Sequence, residues 1–401
     1  MKKYPEHVVV AGGGRWARVL ISVLYDLLPQ SVPVTIYSPH GAASMAEWVV
    51  SQGFQGRVSV SSDWPNFSPE LTHAMVIANA ARDHFKVAKR ALESRIPVLV
   101  EKPVALSFRE VEELVQISQV NKVPLAPAHV FLFAYFIEKF SAYVTDMGKI
   151  IRIKVLWSDP KCEQRHGEQK QFDPSLPIYV DWIPHILSVL SMFIPFQNSE
   201  CKKVRLLEGG RQVDMVLESA GCKCDIELVR NGDSRKRMIE VETDSDRFTL
   251  DFSVEPGFAY SAVSSLPEDI ATLKKGNQGP VSRMLDTFLR WAVSGEDDSR
   301  FDIGLGLQAN RLIEQVASRY QGLQKAWLYK ALATYDRRDE NLQYTLAEIL
   351  QANGNYSQDT LGRMLRMVES AFSGGGREIW LNKFNKADDY GQFIRNIATG
   401  M

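Results

Sequence analysis

Hydrophobic and polar residues follow two different patterns near the start of the chain. Residues 7–11 (HVVVA) form a short, β-branched apolar run of the kind that is buried in a parallel sheet. Apolar residues then recur at steps of three and four from Val19 to Leu27, which is the period of an amphipathic helix. Residues 34–37 (VTIY) indicate another strand. The pattern therefore predicts a strand, a helix and a second strand in succession.

The same alternation continues through the first third of the chain. Apolar runs at residues 74–78 and 96–100 predict strands, and amphipathic patterns at residues 85–92 and 108–120 predict helices. Repeated alternation of strands and helices is typical of a parallel sheet that is covered by helices on both faces. We therefore expect an α/β fold with a Rossmann-type domain at residues 1–128.

Strand patterns without intervening helices dominate the middle of the chain. The candidate strands are residues 149–157, 204–207, 213–217, 223–230, 237–243 and 247–252. Turn residues at 231–233 and 244–246 separate the last of them, and strands that are joined by tight turns form antiparallel sheets. The sequence thus predicts a second, α+β domain at residues 129–321 with a large, open, mostly antiparallel sheet.

The last part of the chain, residues 322–401, has helical patterns. The expected helices are residues 324–333, 341–352 and 358–372, separated by glycine-containing breaks at 354–355 and 374–376. This part is predicted to be a C-terminal helical extension. It could cap a pocket, add an oligomer contact, dock a protein partner or simply pack on the second domain.

The composition excludes several classes of protein. A chain of 401 residues suits two domains with an appendage. Lys and Arg number 47 against 48 Asp and Glu, so the net charge is −1. Such a balance argues against binding to nucleic acid or to a membrane surface. The N-terminus does not read as a signal peptide, and the longest apolar stretch, residues 123–137, is too short and broken to span a bilayer. We expect a cytoplasmic protein.

The cysteines are few for a chain of this length. They are Cys162, Cys201, Cys222 and Cys224. This number predicts a reducing compartment and no disulfide framework. Cys222 and Cys224 would share one face of a strand, because side chains alternate along strands. No second Cys or His pair stands at metal-ligand spacing, so no metal site is expected.

A glycine-rich segment connects the first predicted strand to the first predicted helix. Residues 12–17 read Gly-Gly-Gly-Arg-Trp-Ala, which is a Gly-x-Gly-x-x-Ala dinucleotide fingerprint in its required setting. Gly12 would make the tight turn, Gly14 would let a pyrophosphate approach the backbone, and Ala17 would let the helix pack closely on the strand. The helix N-terminus would offer N–H donors to the phosphates. A glycine-rich turn in an unrelated α/β protein is the alternative.

The end of the second strand distinguishes the two nicotinamide cofactors. An Asp or Glu at this place holds the ribose 2′-hydroxyl of NAD(H) and repels a 2′-phosphate. Here the chain reads Tyr-Ser-Pro-His at residues 37–40, and the next carboxylate is Glu47. Because the Ser38 hydroxyl and the His40 imidazole can both serve a phosphate, the sequence favours NADP(H), with NAD(H) as the alternative.

Three further motifs occur in order along the chain. They are residues 78–84 (ANAARDH), residues 101–103 (Glu-Lys-Pro) at a strand end, and residues 181–185 (DWIPH). Together with the glycine turn they resemble the Gfo/Idh/MocA oxidoreductases, the family of glucose–fructose oxidoreductase and inositol dehydrogenase, over about residues 5–320. The chain departs from the family pattern at Ala80, where the family has a proline, and at residues 173–179, which replace a glycine-rich run. The second change puts the usual sugar substrates in doubt.

The resemblance implies which residues act. Lys102 would hydrogen-bond the substrate oxygen and stabilise developing negative charge, and His185 would be the main acid/base because its ordinary pKa lies near neutrality. Asp181 would share a helix face with His185, four residues on, and could orient the imidazole or bind a substrate hydroxyl. Glu101 would position Lys102 or the nicotinamide ribose. The cofactor-binding candidates are Gly12, Gly14, Arg15, Trp16, Ala17, Ser38, His40, Ala78, Asn79, His84, Glu101 and Lys102.

The three catalytic candidates also have plainer interpretations. Lys102 could be a surface lysine at the end of a strand. His185 could be an N-terminal helix residue after Pro184 without a part in catalysis. Asp181 could simply cap the same helix.

For three other polar residues, a role outside catalysis is the preferred interpretation. His84 is expected to be a structural or cofactor-edge residue rather than an acid. Arg165 and His166 belong to a polar stretch that could meet an anionic or polyhydroxy substrate. A solvated loop is the preferred interpretation of that stretch.

Two functions from different classes fit these patterns. The first is an enzyme that oxidises an alcohol, or reduces a carbonyl or imine, on a sugar-like or natural-product intermediate with NAD(P)(H). The second is a non-catalytic relative that senses a dinucleotide and binds a partner protein. Lys102, Asp181 and His185 favour the enzyme, because a sensor does not need proton-transfer groups. The resemblance also implies a homo-oligomer that is assembled through the open sheet.

Overall fold

The computed structural model describes residues 3–165, 168–169, 172–173, 175–273, 278–352 and 356–400. In its first part, strands alternate with helices as the hydrophobic pattern predicts. These elements are β1 (His7–Ala11), α1 (Arg15–Leu27), β2 (Val34–Tyr37), α2 (Ala42–Ser51), β3 (Val58–Ser61), β4 (His73–Ile77), α3 (Ala81–Glu93), β5 (Val98–Val100), α4 (Phe108–Asn121) and β6 (Leu125–Pro127).

The first six strands form one parallel sheet in the order β3-β2-β1-β4-β5-β6. Strand β1 pairs in parallel with both β2 and β4, so that Val8 lies opposite Val34 on one side and Ala74 on the other. The strand order reverses beside β1, and sheets of this type bind ligands at the carboxyl ends of the strands at such a point. The predicted Rossmann fold is confirmed.

A second sheet follows in the middle of the chain. The elements of this part are α5 (Tyr135–Asp146), β7 (Ile150–Pro160), β8 (Gln164–Arg165), β9 (Glu168–Gln169), α6 (Ile178–Leu190), β10 (Glu200–Leu207), β11 (Gln212–Ser219), β12 (Cys222–Gly232), β13 (Lys236–Thr243), β14 (Arg247–Asp251), β15 (Phe258–Ser261), α7 (Glu268–Thr272) and α8 (Pro280–Ser294). The strand order is β10-β11-β12-β7-β13-β14-β15. Strand β12 is parallel to β7, and the other neighbouring pairs are antiparallel. The mostly antiparallel sheet is thus confirmed.

Helix α6 and the long helix α9 (Ile303–Thr334) pack on one face of this sheet. Both helices contribute buried residues to one apolar core with the inner face of the strands, including Trp182 and Ile186 of α6 and Leu312 of α9. Helix α9 also contacts β6 of the first sheet, and the side chain of Asn310 donates a hydrogen bond to the carbonyl oxygen of Ala105, just after β5. This packing fixes α6, which carries two of the predicted catalytic residues, relative to the end of β5.

The C-terminal part is helical, with α10 (Glu340–Gln351), α11 (Gln358–Ser373), α12 (Arg377–Lys386) and α13 (Tyr390–Thr399) packed around the end of α9. Helix α9 runs without interruption across the predicted boundary between residues 321 and 322 and contains Gly322. A glycine inside a helix costs only about 0.5–1 kcal/mol, so extensive packing along α9 offsets it. The division of the chain into three parts stays a prediction.

Three further observations concern cysteines, metal ligands and membrane spans. The four cysteines are free, and Cys222 and Cys224 are both buried on strand β12. Within the residues that the structure describes, no three His, Cys, Asp or Glu side chains are grouped so that they could hold a metal ion. Among those same residues, no helix combines the length and apolar character that a membrane span requires.

Candidate active site

A cavity of about 1120 Å³ lies where the carboxyl ends of β1, β4 and β5 meet α6 and the second sheet. Its walls include residues from the first part of the chain and from the second. The predicted site residues that line it are Arg15, Trp16, Ala78, Asn79, His84, Glu101, Lys102, Asp181 and His185. The structure therefore brings the lysine of the Glu-Lys-Pro motif to the same space as the Asp and His of α6.

Lys102 and Asp181 form an ion pair in this cavity. The Nζ atom of Lys102 lies 2.5 Å from Oδ1 of Asp181 and 3.1 Å from the backbone oxygen of Asp181. The other carboxylate oxygen, Oδ2, accepts a hydrogen bond of 3.1 Å from Nη2 of Arg230 on β12. The side chains of Lys102 and Asp181 are 18% and 20% exposed, whereas Arg230 is 2% exposed. One carboxylate thus holds two cations at the edge of the cavity.

These contacts determine the charge of Asp181. Burial alone would raise the pKa of this carboxyl group, but the neighbouring charges of Lys102 and Arg230 outweigh burial and hold the pKa well below its usual range. Asp181 is therefore ionised at neutral pH. Its side chain does not cap α6, since the helix begins after Pro177 without a side-chain cap. The plainer interpretation of Asp181 as a helix cap is wrong.

His185 lies in the interior of α6, not at its N-terminus, because the helix spans Ile178–Leu190. The interpretation of His185 as an N-terminal helix residue is therefore wrong. Its ring stacks on Trp157 with a centroid separation of 6.3 Å and meets the edge of Phe131 at 5.1 Å. The Nδ1 atom is buried without a hydrogen-bond partner, so aromatic rings rather than the Asp181 carboxylate orient the imidazole.

The surroundings of His185 also change its protonation. Burial, reinforced by the positive charge of Lys102, lowers the pKa of His185 well below its ordinary value. The imidazole is therefore neutral at pH 7. His185 therefore does not have the pKa near neutrality that the sequence suggested, and its role as the main acid/base stays a prediction.

Glu101 is buried against the glycine-rich segment. Its Oε1 atom accepts a hydrogen bond of 2.5 Å from the indole nitrogen of Trp16, and its Oε2 atom accepts one from the backbone nitrogen of Lys102. Burial raises the pKa of Glu101, and the hydrogen bond from Trp16 and the charge of Lys102 oppose that effect. Glu101 thus connects the start of α1 to the end of β5, next to Lys102.

Two glycines of the glycine-rich segment, Gly12 and Gly14, lack a side chain for different reasons. Gly12 has φ 149°, and a Cβ atom placed on it would lie 2.6 Å from the carbonyl oxygen of Ala78. Gly14 precedes α1 with an ordinary extended backbone, and a Cβ atom placed on it would meet no protein atom within 4 Å. Gly12 is therefore required by the fold itself, whereas Gly14 leaves space that the protein does not use.

These features fit the phosphates of a dinucleotide. No side chain caps the N-terminus of α1, and its first turn has no acidic residue, so its N–H groups and dipole favour an anion. The Oδ1 atom of Asn79, at the end of β4 and in the wall of the cavity, is buried without a hydrogen-bond partner. Arg15 and Trp16 of the same turn also line the cavity.

The remaining candidates have different surroundings. Ser38 is buried at the end of β2 against Gly13, since a Cβ atom on Gly13 would lie 2.4 Å from the Ser38 hydroxyl, whereas His40 is exposed. His84 is buried, and its two ring nitrogens lie 2.8 Å from the oxygen of Pro103 and 3.1 Å from that of Asn79. These contacts join the ends of β4 and β5, which fits a structural role for His84.

The polar loop before α6 is described only in part. His166 lies outside the described residues, and the surroundings of the Arg165 side chain are likewise outside the description. Contact of Arg165 and His166 with a substrate stays a prediction. The cavity wall nearest to this loop includes Phe172, whose ring lies 4.5 Å from the guanidinium carbon of Arg230.

Several cavity residues have no signal in the local sequence. They are Phe131, Trp157, Arg230 and Arg237. Arg237 pairs with Asp159, and its guanidinium carbon lies 4.4 Å from the ring centre of Trp157. The cavity around His185 is consequently more aromatic than the motifs indicate. Along β7, β12 and β13, alternate side chains point to the same face of the sheet, and this alternation is the only signal that could have singled out Trp157, Arg230 and Arg237. It does not show which face of the sheet borders a cavity.

Comparison with known proteins identifies the first part of the chain. Residues 7–129 match the model of the oxidoreductase family with an NAD-binding Rossmann fold, GFO_IDH_MocA. No curated protein matches the sequence. The fold and the match define the class: the chain is an NAD(P)-binding oxidoreductase with an N-terminal Rossmann domain. Residues 7–129 thus resemble the Rossmann domain of the Gfo/Idh/MocA family, in agreement with the sequence motifs.

Solved structures share this fold at low sequence identity. UDP-N-acetylglucosamine 3-dehydrogenase GnnA from Acidithiobacillus ferrooxidans is 16% identical with a TM-score of 0.62, and the match covers 79% of this chain and 98% of that one. The 3-ketoreductase KijD10 from Actinomadura kijaniata, in complex with TDP-benzene and NADP, is 16% identical with a TM-score of 0.59, covering 78% and 97%. Biliverdin reductase from Synechocystis sp. PCC 6803, in complex with biliverdin and NADP+, is 16% identical with a TM-score of 0.59, covering 78% and 98%.

Proposed function

We propose that this protein transfers a hydride between NAD(P)(H) and a carbinol, carbonyl or imine carbon of a small molecule, with Lys102 and His185 beside the reacting carbon. The observation that carries the proposal is the convergence of Lys102, Asp181 and His185 on one cavity, which Arg15 and Trp16 of the glycine-rich segment also line. When bound, the nicotinamide supplies the hydride chemistry, and the protein supplies placement and proton handling.

Lys102 is the group that would bind the substrate oxygen. An ammonium group has three N–H donors, and two acceptors on Asp181 lie within hydrogen-bond distance of Nζ. The third donor is then available for an oxygen or nitrogen atom in the cavity. In the reduction of a carbonyl, this N–H would stabilise the negative charge that develops on oxygen. Asp181, which is ionised, accepts two hydrogen bonds from Lys102 and fixes the direction of its side chain.

His185 would handle the proton in the oxidation direction. A neutral imidazole accepts a proton and is a poor source of one, so it suits a base that removes the hydroxyl proton from an alcohol. In the reduction direction the same step runs backwards, so the protonated imidazole would return the proton while the ammonium group of Lys102 stabilises the charge on oxygen. Phe131 and Trp157 restrict the imidazole ring to one orientation, which favours a defined proton acceptor.

The substrate is proposed to be a sugar-like or natural-product intermediate. GnnA and KijD10 are named as a sugar-nucleotide dehydrogenase and a ketoreductase, and the biliverdin complex shows that a protein of this fold takes a non-sugar substrate. The aromatic wall around His185 suits either a sugar face or a planar ring. The replacement of the family's glycine-rich run by residues 173–179 places larger side chains, including Asp173 and Leu176, at the cavity wall.

The proposed cofactor preference is NADP(H) over NAD(H). The end of β2 carries no carboxylate, and His40 is exposed there. We expect NADPH to bind about tenfold more tightly than NADH, a difference of about 1.4 kcal/mol, as measured by nicotinamide fluorescence during titration of the protein. The His40→Ala variant should narrow the difference. Tighter binding of NADH would refute the preference, and binding of neither cofactor would refute the proposed function.

The two glycines of the turn should respond differently to substitution. Gly14→Ala should leave the melting temperature nearly unchanged, because its Cβ would meet no protein atom within 4 Å. It should weaken NAD(P)H binding by roughly tenfold or more, about 1.4 kcal/mol, because the methyl group takes the space of the phosphates. Gly12→Ala should instead destabilise the fold by about 1–3 kcal/mol, since φ is positive and the Ala78 oxygen is close. Unchanged cofactor affinity in Gly14→Ala would contradict the placement of the phosphates.

A further inference from the structure

The C-terminal helices pack directly on the wall of the cavity. Helix α10 lies over the turn between β10 and β11, where a Cβ atom on Gly209 would be 2.9 Å from the backbone oxygen of Asn341. The hydroxyl of Thr345 donates a 2.7 Å hydrogen bond to the oxygen of Gly209. On the same helix, the ring of Tyr344 contacts the ring of Phe172 of the cavity wall, with a centroid separation of 5.9 Å.

Arg230 connects this helix to the ion pair of the site. One terminal nitrogen of Arg230, Nη2, bonds to Asp181, and the other, Nη1, donates hydrogen bonds to the backbone oxygen of Leu176 at 2.9 Å and to the hydroxyl of Tyr344 at 3.2 Å. Tyr344 in turn donates to Oε2 of Glu348 at 3.4 Å. The path from Lys102 therefore runs through Asp181, Arg230 and Tyr344 to a carboxylate of α10.

Glu348 is 6% exposed and is surrounded by hydrogen-bond donors. Its Oε1 atom accepts bonds from the hydroxyl of Tyr320 at 3.1 Å and from the amide nitrogen of Gln324 at 2.8 Å. The amide oxygen of Gln324 accepts a 2.7 Å bond from Tyr390 of α13, which fixes the orientation of the amide. Burial raises the pKa of Glu348 above its ordinary value, and the hydrogen bonds and the charge of Arg230 only reduce that rise. A carboxyl group that faces donors on both oxygens fits the ionised form.

Glu348 adds a second anion to this path. Lys102 and Arg230 are two cations, and Asp181 is one anion that both of them share. A desolvated cluster with an excess charge is costly unless another group compensates it. Glu348 supplies a second anion on the side of Arg230 that faces away from Asp181. Arg230 is therefore attracted from both sides, and Asp181 can keep its contact with Lys102.

We propose that Tyr344 and Glu348 are positioning residues, through which the C-terminal helices hold Arg230 and thereby keep Asp181 directed at Lys102. The proposal rests on the proposed role of Lys102. Docking of α10 does not itself require the polar path, because a buried apolar stripe packs the helix against its neighbours. That stripe consists of Leu342, Leu346, Ile349 and Leu350.

The test compares Glu348→Gln and Tyr344→Phe with the matched control Glu340→Gln. Glu340 is a carboxylate of the same helix that pairs with Lys161 at 2.9 Å but is 65% exposed and lies outside the path. The readout is the rate at which trace acetic anhydride acetylates Lys102 at pH 8, measured by peptide mass spectrometry relative to Lys89. Loss of the distant anion should let Arg230 draw Asp181 away from Lys102, so that the Lys102 amine is no longer held in hydrogen bonds to Asp181 and reacts faster.

We expect Lys102 to be acetylated several-fold faster in Glu348→Gln, with a smaller increase in Tyr344→Phe and none in Glu340→Gln. On a substrate that the wild-type protein converts, the two path variants should also lose kcat with the affinity for NAD(P)H unchanged. If all three variants label Lys102 at the wild-type rate, Glu348 only packs the extension and the proposal is overturned. If Glu348→Gln fails to fold, Tyr344→Phe decides the matter by the same rate. Failure of the wild-type protein to bind either cofactor would overturn the proposed function and leave this labelling comparison interpretable.

Discussion

Replacing Lys102 with methionine is expected to lower turnover by about two orders of magnitude or more, the usual contribution of a positioned proton-transfer group, while NAD(P)H still binds. Methionine keeps the apolar stem of the lysine and removes the ammonium group with its three donors. Asp181 would keep its contact to Arg230, so α6 should stay in place. The measurement is the initial rate with whichever alcohol, ketone or imine the wild-type protein converts, together with a nicotinamide fluorescence titration.

The control for this variant is Lys161→Met. Lys161 also lines the cavity, but its side chain is 61% exposed and pairs with Glu340 of α10. Its loss should change kcat by less than about threefold, since an exposed ion pair contributes roughly 0–1 kcal/mol. Equal rates for wild type and Lys102→Met, with cofactor bound in both, would show that Lys102 takes no part in the chemistry. A cofactor-binding protein of that kind would fit the sensing alternative that the sequence left open.

Local signals were sufficient to predict most of the first sheet. β1 and β2 begin and end where their apolar runs do, and the glycine turn between β1 and α1 is visible in the residues themselves. α2 and β3 were missed for physical reasons. α2 begins after Gly41 without a capping side chain, and β3 reads Val-Ser-Val-Ser with one strongly buried position. Such segments are held by their neighbours rather than by their own propensity.

The site was predictable where a motif carries it and not where packing assembles it. Lys102, Asp181 and His185 each belong to a short motif, and the structure brings them to one cavity. Arg230 reaches the same place only through the register of β12 beside β7, and Glu348 only through the docking of α10. The low pKa of His185 likewise depends on burial among residues that are distant in sequence. Long-range register and desolvation are properties of the folded chain, not of any short segment.

The related solved structures correspond to only part of this chain. The three related structures cover 78–79% of this chain, so about a fifth of it has no counterpart in them. The polar path from Asp181 reaches α10 and α13 of the C-terminal part. The path therefore extends beyond residue 320, where the resemblance in sequence ends. The predicted homo-oligomer and a protein partner for these helices stay predictions.

Replacing Asp181 with asparagine is expected to destabilise the protein by about 3 kcal/mol at pH 7, the lower end of the cost of breaking a buried ion pair. The variant would leave Lys102 and Arg230 near each other without the anion that both contact. Urea unfolding of both proteins at several pH values measures the effect. Asp225→Asn is the control, because Asp225 pairs with Arg152 at a more exposed place on β12. Its loss should cost no more than about 1 kcal/mol.

The pH dependence separates loss of charge from loss of packing. Burial opposes ionisation of Asp181, but Lys102 and Arg230 keep its pKa in the folded protein below the unfolded value, which is about 3.9. A carboxyl group with a lowered pKa contributes stability that is complete above the unfolded value and is lost as the pH falls through the folded one. The difference between wild type and Asp181→Asn should therefore be constant from about pH 5 to 8 and shrink below about pH 4. A difference that persists unchanged at pH 3 would mean that asparagine disturbs the packing of α6 and that the ion pair is not what stabilises this junction.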